Sequence, residues 1–182
     1  MLDNLMNLIR QHAGDAIINN PAIPNERNDE AIQETGNSII SSLQNAFSGG
    51  NVKSVLNLFN GNADGVEQNP LVQDTSSGLQ QRLQEKFNLN GQQASGIAGS
   101  LIPTILKQFG QKTADPNDNS FDLQDVFNQL SGGRTANLNM SEMVSKFKGG
   151  LDSDGDNDVD VQDLKSLLSG GSVMDKLKGL FN

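Results

Sequence analysis

The chain has 182 residues and a formal net charge of −9 at pH 7, with 35% hydrophobic residues, one His, and no Cys, Trp or Tyr. The lack of cysteine excludes disulfides, thiolate metal sites and thiol nucleophiles; the acidic balance argues against nucleic acid as a general partner, because phosphate binding needs a basic face. The acidity is concentrated in Asp152, Asp154, Asp156, Asp158, Asp160 and Asp163, and outside that stretch the charge is about −3, ordinary for a solvated surface.

The length suits one domain, or one domain with a small appendage. In chain order, residues 1–19 carry Leu2, Leu5, Met6, Leu8, Ile9, Ala13, Ala16 and Ile17 at helical spacing and predict an amphipathic helix. Pro21 and Pro24 then break the pattern with an extended connector. A second helix is expected over 29–47, on the stripe Ile32, Ile39, Ile40, Leu43 and Phe47, and a short third over 52–59. The polar, Gly-bearing stretch 60–68 reads as a loop. Asn69-Pro70 marks a helix start, with Asn as cap and Pro in the first turn, and that helix runs to Phe87. Asn90 with Gln93 predicts a capping box for the next helix, whose apolar face runs from Ala94 to Phe109. Pro103 inside it is expected to kink or split the helix.

An apolar residue, a polar one and Gly-Gly recur at 47–50, 130–133, 147–150 and 168–171. That is the composition of a left-handed helix C-cap, so short helices joined by tight turns are expected. Alternating Val/Ile/Thr patterns that would indicate strands are absent. The predicted class is all-α: a multi-helix bundle at 1–112, followed at 113–182 by a degenerate EF-hand-like helix-loop-helix pair that binds calcium.

The second part of that expectation rests on residues 152–163. Asp152, Asp154 and Asp156 occupy positions one, three and five of a calcium-loop pattern, Asp158 position seven through its carbonyl, Asp160 position nine, and Asp163 position twelve. Alternate residues of a tightly turned loop point at one centre, which is the oxygen-rich shell a hard cation needs. Two positions depart from the pattern. Asn157 stands where Gly is usual, and Asn tolerates a left-handed backbone next best. Asp163 is one methylene shorter than the usual Glu, which weakens bidentate closure and leaves Mg2+ open beside Ca2+. An echo with one residue fewer lies upstream. Asp115, Asn117, Asn119, Asp122 and Asp125 form a weaker candidate loop, with Phe121 placed to meet Val159 where paired loops touch. The alternative for this echo is a turn in which Ser120 caps the next helix.

The Asp closure resembles dockerin loops as well. Dockerins are secreted modules with two near-identical loops, and the second loop here departs from that, so cohesin binding is not carried over. Residues 41–111 resemble the YidB-like family of bacterial proteins. The likeness lies in Leu43-Gln44-Asn45-Ala46-Phe47-Ser48-Gly49-Gly50 and in the run from Phe87 to Pro103, with its Ala/Ser-rich helix and Leu101-Ile102-Pro103 exit. It implies an all-helical bundle and a bacterial source, and brings no activity or catalytic residues.

No enzyme is expected. His12 stands on a helix with no nucleophile at a telling spacing, and neither a P-loop nor a G-x-S-x-G or H-E-x-x-H pattern occurs. Asp29 with Glu30, and Glu85 beside Lys86, read as helix-start or surface charges. The expected function is a non-catalytic calcium-binding helical protein in which metal orders the C-terminal region. The alternative is a self-associating scaffold in which the metal loop only stabilises, with Leu2, Leu5, Met6 and Ile9 offered to a neighbour. Partners are then the chain itself or another protein. No apolar run reaches the ~18 residues of a membrane span, and no signal peptide is visible. The cytoplasm is therefore the default location, with export by a non-standard route left open.

Overall fold

The computed structural model describes residues 2–49, 51–59, 65–115, 117–133, 135–137, 139–141 and 144. Its helices are α1 (Leu2–His12), α2 (Asn28–Ser48), α3 (Val52–Leu58), α4 (Pro70–Phe87), α5 (Gly91–Ala114) and α6 (Leu123–Leu130), and the described residues contain no strand. The described part of the chain is thus all-helical, as its periodicity predicts.

The single helix expected over 1–19 is two pieces. It stops at His12, and a π-helical turn follows over Gly14–Ile18, closed by Ile18 N–H to Ala13 carbonyl (3.0 Å) and Asn19 N–H to Gly14 carbonyl (2.8 Å). Gly14 is a weak helix former, and the wider turn resets the register. Ala13 and Ile17 stay fully buried while Ile18 turns outward. Leu5, Leu8 and Ile9 of α1 are also core residues. Met6 is half-buried, and only Leu2 of the four residues offered to a neighbour stays exposed. The apolar stripe of α1 therefore completes the core of this chain.

The local start signals hold. Asn69 Oδ1 accepts from the Leu71 N–H at 2.9 Å, and Asn90 exchanges bonds with Gln93 in both directions (2.9 and 3.1 Å). Pro103 does not split α5, which runs unbroken from Gly91 to Ala114. The proline costs the helix one backbone bond. Leu101, Ile102, Ile105, Leu106 and Phe109 on either side of it are buried and hold the register. At 130–133 the Gly-Gly signal is a Schellman cap: Gly132 and Gly133 have φ of +64° and +89°, and the Gly133 N–H reaches the Asn128 carbonyl at 2.7 Å. At Gly49 it is not, for φ is −83° and α2 closes with a helical bond to Asn45. The signals at 147–150 and 168–171 lie outside the described residues.

Helix α4 packs mainly on α5 and α2, and α1 leans on α2 and α5. Asn88 turns the chain between α4 and α5 with a left-handed φ of 54°. Helices α2 and α4 run antiparallel. Glu34, near the start of α2, meets Arg82 (3.1 Å) and Lys86 (2.5 Å), near the end of α4. Lys86, read from sequence as a surface charge beside Glu85, is 47% exposed and also pairs with a buried carboxylate 52 residues away. Glu30 takes Arg27, whose guanidinium also lies over the Phe87 ring.

One chain of rings joins the early and late parts of the sequence. Phe47 meets Phe127 (centroids 5.7 Å apart), Phe127 meets Phe59 (5.4 Å), Phe59 meets Phe109 (5.4 Å) and Phe109 meets Phe121 edge-on (4.8 Å). Each such pair contributes about 0.5–1.5 kcal/mol beyond its buried area. Phe121, Val126, Phe127, Leu130, Met140 and Val144 belong to the same hydrophobic core as α1–α5. The core is therefore continuous across Ala114.

Candidate metal loops

Residues 152–163, with Asp152, Asp154, Asp156, Asp158, Asp160 and Asp163, lie outside the described residues, as does Val159. The upstream loop is described except for Pro116. The end of α5 and the start of α6 fix its two ends, so its hydrogen bonds show how the candidate ligands are used.

Three of its carboxylates have local partners. Asp115 Oδ1 accepts from the Asn117 backbone N–H (2.9 Å) and side-chain amide (3.2 Å). This is an Asx turn, the local bonding that short polar side chains favour. Asp118 Oδ1 accepts from the Ser120 N–H (2.8 Å), and its Oδ2 takes the Lys112 ammonium (2.8 Å). Asp122 Oδ1 accepts from the Asp125 N–H (2.9 Å) and is the N-cap of α6. The helix is thus capped by Asp122, not by Ser120, which donates its N–H to Asp118 and whose carbonyl accepts from the Asn4 side-chain amide. Asp122 wins because it alone stands directly before the first helical residue with a side-chain acceptor that reaches the third N–H.

Asn119 and Asp125 are solvent-exposed. Among the described residues, no group of three or more His, Asp or Glu side chains is gathered as a metal site needs. Asp118, absent from the sequence-derived ligand set, is the electrostatic centre of this turn. The Lys112 ammonium and the Ser120 bonds hold its carboxyl well down, at about 2. The ammonium of Lys112, reaching into the loop from the last turn of α5, also opposes an entering cation. The signal available in the sequence was the Asp118-x-Ser120 spacing, with a lysine at the end of the preceding helix.

Phe121, expected to face Val159, is buried against Phe109. Beyond α6, Gln124 ties the chain back: its amide donates to the Thr135 carbonyl (2.8 Å) and its Oε1 accepts from the Met140 N–H (3.2 Å). Met140 and Val144 are buried and belong to the bundle core. His12 sits half-buried in the last turn of α1. No helix among the described residues is long and apolar enough to cross a membrane. Comparison of the chain with protein-family models, with curated proteins and with solved structures finds no match.

Proposed function

We propose that this is a non-catalytic calcium-binding helical protein whose metal loop is residues 152–163. The observation that carries the reading is the alternation Asp152, Asp154, Asp156, Asp158, Asp160, closed by Asp163. Oxygen donors at every second position of a turning loop supply the many-ligand shell that Ca2+ prefers. The geometry of 115–125 supports giving that loop the leading role. There Asp115, Asp118 and Asp122 already hold turns and a helix cap. In this reading the upstream loop is a rigid mount, and metal at 152–163 orders the C-terminal helix-loop-helix region beside it. Likeness of 41–111 to the YidB-like family belongs to the same proposal and adds no chemistry.

A metal-dependent fold makes a direct test. Far-ultraviolet circular dichroism and thermal melting of chelator-stripped chain should both change when calcium is added, because binding to the native state alone stabilises it by mass action. Identical spectra and melting with calcium and with chelator would remove the proposal. For the alternative, a self-associating scaffold, Leu2 is the exposed one of Leu2, Leu5, Met6 and Ile9, at 45%. Light scattering that shows a monomer at every concentration excludes it.

A further inference from the structure

Asn90 and Gly91 carry a chemistry of their own. An asparagine carboxamide can be attacked by the backbone nitrogen of the residue that follows it. Glycine leaves that nitrogen most open, because no side chain crowds the five-membered ring that forms. Among the described residues Asn90-Gly91 is the one such pair. Asn90 is exposed, and Gly91 is the first residue of α5. The Gly91 N–H is therefore one of the donors that a helix leaves without an intrahelical partner. The fold does not demand glycine here: its φ is not left-handed, and an added Cβ would meet nothing within 4 Å.

The capping box opposes the attack. Asn90 Oδ1 accepts from the Gln93 N–H (2.9 Å), and the Asn90 N–H donates to Gln93 Oε1 (3.1 Å). These two bonds tie the carboxamide to the helix end and hold the Asn90 backbone extended, with ψ at 163°. Ring closure needs the Gly91 nitrogen to swing about the Cα–C bond until it stands beside Cγ. The extended backbone keeps it away, so both bonds of the box resist the rotation.

We propose that Asn90 is a site of self-catalysed deamidation gated by its own helix cap, and that it reacts when the first turn of α5 opens. The Gly91 nitrogen bonds to Asn90 Cγ and gives up its proton. The Cγ–Nδ2 bond breaks, and ammonia leaves with that proton. Water then opens the succinimide. Attack at Cγ yields an aspartate; attack at the main-chain carbonyl yields an isoaspartate, whose backbone runs through Cγ. The products act in opposite directions. Aspartate keeps the acceptor for the Gln93 N–H and adds negative charge at the positive end of the helix dipole. Isoaspartate lengthens the main chain by a methylene and loses the cap, beside the buried Leu89 and Ala94. Helix α5 packs on α4 and α1, so the uncapped form loosens the bundle. The reaction is independent of the metal loop.

The test is ageing of the full chain in warm neutral buffer, with peptide mapping by mass spectrometry that separates aspartyl from isoaspartyl products. Conversion at Asn90 should be slower in the native chain than in urea. Gln93→Ala removes the returning bond and should speed native conversion about fivefold, the effect of losing one ordinary hydrogen bond. Gly91→Ala, which fits without a clash, should nearly stop it. The isoaspartyl form, isolated by ion exchange, should melt below the starting chain, and Asn90→Asp should melt at or above it. Equal rates in native and unfolded chain, a Gln93→Ala rate that does not move, no conversion at Asn90 even in Gln93→Ala, or an isoaspartyl form that melts with the starting chain would overturn the proposal.

Discussion

Replacing Glu34 removes the one buried carboxylate that joins α2 to α4. Its side chain is 6% exposed, whereas Arg82 and Lys86 are 37% and 47% exposed. Removing one partner of a fully buried ion pair costs about 3–5 kcal/mol. Here both cations keep water and can be resolvated, and exposed charges are screened. We therefore expect Glu34→Ala to lose about 2 kcal/mol, the scale of a charged hydrogen bond. For a chain of this size that is a fall in Tm of about 4–8 °C. Glu34→Gln keeps the shape and one acceptor, and should lose about 1 kcal/mol. Urea unfolding followed by circular dichroism measures both, with the midpoint moving and the slope unchanged. A double-mutant cycle with Arg82→Met should give a coupling of about 0.5–1.5 kcal/mol. A loss below about 0.5 kcal/mol for Glu34→Ala, or no coupling, would refute the assignment of this contact as a link between the two helices.

Phe127→Ala should cost about 3–5 kcal/mol, because its fully buried ring meets both Phe47 and Phe59; a stability change under 1 kcal/mol would mean that α6 is not part of the bundle core. Gly110→Ala places a Cβ against the Leu58 backbone carbonyl, so about 1–3 kcal/mol should be lost as α3 and α5 are pushed apart; unchanged urea stability would contradict that close approach. Asp118 is held at about 2 by Lys112 and Ser120, below its ordinary 3.8. A depressed carboxylate contributes stability that is complete above the unfolded value and is lost as pH falls from about 4 to about 2. Lys112→Gln should raise the Asp118 titration seen by NMR, and an unmoved midpoint would show that the ion pair does not set it.

What the sequence makes legible is local. Asn69, Asn90 and Gln93 announce helix starts because cap and capped N–H groups lie within three residues of each other. The apolar stripes of α2, α4 and α5 follow from period alone. What is hidden depends on distant partners. Glu34 looks like any helical glutamate until Arg82 and Lys86, some 50 residues on, close over it. Pro103 reads as a break, but the buried residues around it keep α5 whole. Phe121 reads as a loop-pair contact with Val159, which lies outside the described residues; that its ring packs edge-on against Phe109 is something no local spacing points to. Gly36 gives no sign that Met6 lies where its Cβ would be. In the upstream loop the alternating Asp and Asn suggest ligands, yet the same side chains are the best turn and cap formers. Spacing alone does not separate the two uses.

The most direct measurement is calorimetric titration of chelator-stripped full-length chain with calcium, repeated in millimolar magnesium and for Asp152→Ala and Asp122→Ala. We predict saturable binding that Asp152→Ala abolishes, while Asp122→Ala leaves calcium affinity within a few-fold and lowers stability by about 1 kcal/mol through the lost helix cap. Binding that survives Asp152→Ala, or no binding in any buffer, would contradict a calcium loop at 152–163.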